Sequence, residues 1–191
     1  EKAKVVDLGL ADVVRPGAKR GLKFLMELIL RSRTLSEEEK KVMSVIPLYA
    51  PDADVITVFD ATKAKEKYGI KGEGVPDIYI FTKTPGKLIG KGGERIQKIE
   101  SEIGKKVRSV ELVLDFKEWI RAIHPVPWVS KYVIDADFAG PRLRVKIDKE
   151  GAGPFIGQGG AHIRYFEHIL EGLLGIGVEV EQVETKSGKK K

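Results

Sequence analysis

Two glycine-rich turns carry the chemistry this sequence offers. Leu88-Ile89-Gly90-Lys91-Gly92-Gly93-Glu94-Arg95-Ile96 returns as Phe155-Ile156-Gly157-Gln158-Gly159-Gly160-Ala161-His162-Ile163, at a constant offset of 67 residues. The shared core reads Ile-Gly-x-Gly-Gly-x-x-Ile-x-x-x-Glu and closes on Glu100 and Glu167. Glycine at both ends of a short turn permits positive φ and lets another backbone approach within contact distance. Each turn opens into a helix, whose unpaired N–H groups and positive dipole end favour a phosphate. The chemistry to expect is capture of a sugar-phosphate backbone, with bases lying across apolar residues beside the turn.

The charges around the two turns differ. Lys83, Lys87, Arg95, Lys98, Lys105 and Lys106 surround the first, and Lys91 sits inside it. The second has Gln158 in place of that lysine, with His162, Arg164 and Lys149 nearby. Cations at a phosphate site release counterions on binding and add affinity. The candidate nucleic-acid contacts are therefore Lys87, Gly90, Lys91, Gly92, Gly93, Arg95 and Lys98 in the first copy. In the second they are Gly157, Gln158, Gly159, Gly160, His162 and Arg164, with the first turn expected to be the stronger. His162 and Tyr165 share a helix face beside the second turn, where base stacking and a plain exposed surface are both open. Ile89, Ile96, Ile156 and Ile163 read first as core residues. Trp119 and Trp128 read as packing between the two copies.

Other chemistries are thinly supported. Gly86-Lys87-Leu88-Ile89-Gly90-Lys91-Gly92 is one residue short of a nucleotide P-loop and lacks its Ser/Thr after the lysine. Cysteine is absent, which removes disulfides, thiolate zinc sites and a Cys nucleophile. The three histidines are too scattered for a zinc site, so no metal and no cofactor is expected. No catalytic constellation stands out; the chain reads as a binding protein rather than an enzyme, with no small-molecule substrate. The net charge of +6 suits a nucleic-acid partner. No apolar run approaches a membrane span and no signal peptide is visible, so a cytoplasmic location without a membrane partner is expected. Asparagine is absent and 32% of residues are charged, the composition of heat-adapted proteins. The chain begins at Glu1 rather than Met, as expected of a product processed or cut from something longer.

The flanks of the turns repeat as well. Asp77–Thr82 and Arg142–Asp148 read as strands before the turns, and Val107–Leu112 and Val178–Glu181 as strands after them. Ile96, Ile99 and Ile103 mark a helix ended by Gly104; Ile163 to Leu174 mark a longer one ended by Gly175. Each copy has a lead-in. Ser36 and Glu39 form a capping box ahead of an Asp54–Phe59 strand. Asp115 caps a second helix ahead of a Val129–Ala136 strand. Ala61–Val75 reads as a Lys/Gly-rich, mobile connection. The fold class is α+β, with residues 1–33 an N-terminal extension, 34–114 the first domain, 115–184 the second, and 185–191 a basic tail. Val5–Val14 is a candidate strand of the extension, and Ala18–Arg33 a helix that packs on the first domain or a partner.

Both turns resemble the GxxG loop of KH domains, and the early helix and strand resemble the type II, bacterial and archaeal, order. That resemblance implies two tandem KH domains, each a three-stranded mixed sheet backed by three helices, binding single-stranded RNA. The linker Val110–Pro125, acidic and aromatic, resembles that of the paired KH module in NusA-type transcription factors, as Leu35–Glu39 resembles the opening of the short archaeal form. The match covers about residues 34–184. It implies a nascent transcript as the RNA, a role in transcription elongation or termination, and RNA polymerase as a further partner. The polymerase-binding and OB-fold domains of the bacterial form have no counterpart here. The alternatives are a tandem-KH factor in RNA processing or ribosome assembly, and the RNA-targeting module of a larger enzyme.

Overall fold

Five consecutive buried residues, Ile78-Tyr79-Ile80-Phe81-Thr82, form the central strand of a sheet covered on both faces. The computed structural model describes residues 19–184; the candidate strand Val5–Val14 and the basic tail lie outside them. In chain order the helices are α1 (Lys19–Arg31), α2 (Glu37–Tyr49), α3 (Thr62–Lys67), α4 (Pro85–Ile89), α5 (Glu94–Ile103), α6 (Phe116–Ile123), α7 (Lys149–Ile156) and α8 (Ala161–Leu174). The strands are β1 (Val55–Asp60), β2 (Ile78–Thr82), β3 (Val107–Glu111), β4 (Val133–Ala139), β5 (Arg142–Asp148) and β6 (Gly177–Val183). They form two sheets of the same design, β1-β2-β3 and β4-β5-β6. In each the first pair is antiparallel with a bulge near its start, and the second pair is parallel. The α+β fold class expected from the sequence is thus observed, as two three-stranded mixed sheets backed by helices.

The capping box forms as expected. Glu39 N–H donates to Ser36 Oγ at 3.1 Å, and Ser36 N–H to Glu39 Oε1 at 2.9 Å. Asp115 caps α6 one way, its carboxylate accepting from Lys117 N–H at 2.9 Å. Gly104 and Gly175 end α5 and α8 in the left-handed conformation, φ 69° and 68°.

The two faces of the first sheet meet different cores. Val58, Ile78 and Ile80 pack on Val42, Ile46, Leu88 and Ile99 from the unit's own helices. Tyr79 and Phe81 enter a larger core shared with α6, α7, α8 and the inner face of the second sheet. Trp119 lies there, 1% exposed, its ring centroid 5.3 Å from that of Phe81 and its Nε1–H donating to Val113 O. Across the same boundary Tyr165 Oη lies 2.9 Å from Tyr79 Oη, and Tyr79 donates onward to Ile123 O at 3.2 Å. Burial pushes both phenols up, Tyr79 to about 12, so the chain of hydroxyls stays neutral.

Several expectations are corrected. Ala61–Val75 is not a mobile connection: α3 forms within it, Ile70 and Val75 are buried, and Lys65 Nζ ties Val75 O and Asp77 Oδ1 at 3.0 Å each. Apolar side chains spaced among lysines let it pack against α8 while the charged ends reach carbonyls. The strand expected from Val129 starts at Val133, because Pro127–Tyr132 winds as a 3-10 helix. Trp128 is 49% exposed rather than packed between units; Lys131 Nζ stands 5.8 Å from its ring. Helix α1 packs on both β1 and α8, so it contributes to the joint between the units.

Arg33, just after α1, locks that joint. Its guanidinium donates to Thr57 Oγ1 and Val58 O at 2.9 Å, to Gly172 O of α8 at 3.0 Å, and to Glu39 Oε2 at 3.3 Å. Both side chains of that ion pair are nearly buried. The exposed face of the second sheet, by contrast, carries cross-strand charges such as Arg144 on Glu179 at 2.8 Å. Among the described residues no helix is long and apolar enough to cross a membrane.

Candidate nucleic-acid interface

Each glycine turn joins a short helix to a longer one, and the two turns are conformational copies. Gly90 and Gly157 have φ 75° and 74°, Gly92 and Gly159 63° and 64°, Gly93 and Gly160 79° and 77°. A side chain is strained at all six positions. At Gly90 and Gly157 it is also blocked: a Cβ would lie 2.6 Å from Arg95 Cγ and from His162 Cγ. Gly92 and Gly159 face open space. Gly93 and Gly160 cap α5 and α8 without any side-chain hydrogen bond. Side chains of Ser36, Asp115 and Asp148 cap α2, α6 and α7. Both turns therefore leave helix N-terminal amides without a side-chain acceptor, as a phosphate site needs.

Arg95 and His162, themselves 67 residues apart, brace the turns alike. Arg95 Nη1–H donates to Lys87 O at 2.8 Å, and His162 Nδ1–H to Pro154 O at 2.9 Å. The acceptors are again 67 apart. Arg95 is also ion-paired with Asp52, and that guanidinium holds the Asp52 carboxyl below the usual range. His162 instead meets the ring of His124 edge-on at 5.7 Å. His124 is buried; its Nε2–H donates to Phe155 O at 2.8 Å and its Nδ1 accepts from Val126 N–H at 3.0 Å. Burial pushes His124 down to about 4, so it stands neutral under the second turn.

The remaining candidates are distributed unevenly. Lys87 and Lys91 are exposed beside the first turn and join no salt bridge among the described residues. Lys98 is paired with Glu94 at 3.1 Å. Lys83, Lys105 and Lys106 are drawn away, to Glu27, Asp60 and Glu73 O. At the second turn Gln158 and Arg164 are exposed, and the Arg164 side chain runs past Gly160. Tyr165 is neither a stacking platform nor an exposed surface: it is fully buried in the shared core.

Ile89 and Ile156 are not core residues; they are 37% and 36% exposed, forming an apolar lip before each turn. The inward positions belong to Leu88 and Phe155, because a turn that reverses the chain at the next glycine points the preceding residue outward. Sequence reasoning missed Leu48, Tyr49 and Asp52. With Lys87, Lys91 and Arg95 they line a cleft of about 570 Å³ at the first turn. Only the apolar end of α2 hinted at them. Among the described residues no cluster of three or more His, Asp or Glu could hold a metal ion.

Known proteins resemble this chain in part. It is 29% identical to an uncharacterized KH and PIN-domain containing protein, MJ1533 of Methanocaldococcus jannaschii, over 45% of this chain. The chain spans 16% of that relative's length. The crystal structure of APE1850 aligns over 78% of this chain and all of its own, with 16% identity and a TM-score of 0.49. Residues 56–121, from β1 into α6 and across the first glycine turn, match the KH domain family model. The first of the two units is accordingly a KH domain, the kind of domain that binds RNA.

Proposed function

We propose that the chain is a single-stranded RNA-binding protein in which both units act as KH domains. The observation that carries this reading is the pair of matching turns, each leading into a helix without a side-chain N-cap. The turns Gly90–Gly93 and Gly157–Gly160 grip phosphates through the amides of Lys91, Gly92, Gln158 and Gly159, since those of Gly90, Gly93, Gly157 and Gly160 already donate to backbone carbonyls. Lys87 and Lys91 add charge at the first turn, and Arg164 does so at the second. Ile89 and Ile156 offer apolar contact to bases. In this reading the chain binds and does not catalyse.

The RNA of the finer reading is a nascent transcript, as in NusA-type factors, with effects on elongation or termination. The close tandem and the linker through α6 support it. A second reading has a specific observation behind it. The KH and PIN-domain relative is matched over 16% of its length, which supports an RNA-targeting module within a larger protein.

The test is a competition assay. Labelled single-stranded RNA bound to the chain should resist equal-length DNA and duplex RNA, and should be released as salt rises. Equal displacement by duplex RNA, or a flat salt series, would overturn the reading. Association with purified RNA polymerase supports the transcript reading, and its absence favours the targeting module.

A further inference from the structure

We infer that the cleft between the first glycine turn and the end of α2 is a nucleobase subsite, built only in the first unit, with Tyr49 and Leu48 as its apolar wall. This rests on the RNA-binding reading and deepens it. The cleft, about 570 Å³, falls in the size range of small-ligand sites. Its lining joins the two chemistries that a nucleotide requires. Lys87 and Lys91 answer the phosphate. Leu48 and Tyr49, from the last turn of α2, answer the base.

The details suit that role. Leu48 is 67% exposed and belongs to neither core. The Tyr49 hydroxyl donates to Glu102 Oε2 at 3.1 Å, which fixes the ring beside the cleft. Both carboxylates in the lining are paired, Asp52 with Arg95 and Glu94 with Lys98. Neither carboxylate forms an ion pair with Lys87 or Lys91, although Lys87 also lies within electrostatic reach of Asp52. A second hollow of about 490 Å³ shares Tyr49, Glu94 and Lys98 and continues past Gln97 and Ser101. It gives a strand that enters at the turn a way onward along α5.

The second unit is built differently at this place. Lys98, Ser101 and Glu102 correspond by the 67-residue offset to Tyr165, His168 and Ile169. Tyr165 and Ile169 are buried, and His168 meets Tyr68 edge-on at 5.8 Å. That face of α8 is covered by the first unit.

The experiment measures equilibrium binding of the full chain to short oligouridine, intact or with one base at a time removed to leave an abasic sugar. Leu48→Ser/Tyr49→Ser should weaken binding about tenfold, the size of one lost stack, with the salt slope unchanged. One abasic position should reproduce that loss in the native chain and cost the variant nothing more. Tyr49→Phe, which keeps the ring, should retain most of the affinity. Leu48→Ser alone, at a position outside both cores, serves where the double variant unfolds, with a smaller loss in the same direction. Native affinity in the Leu48/Tyr49 variant, while Lys91→Asp/Gly92→Asp weakens binding, would overturn the subsite and leave the RNA-binding reading standing. Native affinity in both variants would overturn both.

Discussion

The two units contain the same turn in opposite settings. In the first, the sheet is buried on both faces and the helix after the turn, α5, is open along the side that carries Lys98 and Glu102. In the second, the sheet has one solvated, charged face and the corresponding side of α8 is buried. A single packing event explains both. The free face of the first sheet needed an apolar cover, and α8 supplied part of it beside α1 and α6, with Gly172 allowing close approach to Phe59. One unit thus gives up its sheet face and keeps its helix surface, while the other does the reverse. Repeated motifs do not imply repeated sites: the turn can be copied, but its surroundings depend on which side is spent on the joint.

If the joint is what separates the two units, breaking it should have the largest effect. Arg33→Ala leaves Glu39 buried without its cation, and a loss of about 3–5 kcal/mol is expected in urea denaturation. A loss below about 1 kcal/mol would mean the joint is held by apolar packing alone. The braces should separate the units next. His124 is held near 4 when folded, against about 6.5 when free. The unfolded chain then binds the extra proton, so stability is full above about 6.5 and falls as the pH drops towards 4, by about 3 kcal/mol. Urea titrations at neutral and acid pH should show this loss in the native chain and less of it in His124→Gln.

The third effect is on affinity. Lys91→Asp/Gly92→Asp should weaken RNA binding by about tenfold or more, and Gln158→Asp/Gly159→Asp by only about threefold, because one change removes a cation and the other does not. An equal or larger loss at the second turn would reverse the ranking of the two. The smallest effect sharpens the boundary. Tyr165→Phe removes one hydroxyl from the Tyr165–Tyr79–Ile123 chain and should cost about 1 kcal/mol, with RNA affinity unchanged. A fall in affinity would mean that the joint sets the geometry of the turns.

Much of the site was legible in the residues. Six glycines at two matching spacings announced the turns, since positive φ is a demand that few other residues meet. Lys87 and Lys91 were legible as cations beside them. Arg95 and His162 were legible as polar neighbours, but their use as braces was not. A side chain two positions after a turn can point outward or fold back onto the carbonyl three residues before it, and spacing does not distinguish these. Lys83, Lys105 and Lys106 looked equally near the first turn, yet each is held by an acceptor elsewhere.

By itself, the sequence determined most of the local structure: strands by alternation or by β-branched and aromatic runs, the helix starts by Ser36 and Asp115, the helix ends by Gly104 and Gly175, and the two turns by their glycines. These depend on interactions within a few residues, and one chain segment contains them all. Only the tertiary structure decided that Tyr165 would be buried, that Ala61–Val75 would be ordered, and that Leu48 and Tyr49 would stand beside the first turn. Those outcomes depend on which apolar face is left uncovered once each unit has folded, and on what remains in the chain to cover it. No local pattern carries that information, because the same alternating strand or amphipathic helix suits any partner of matching shape.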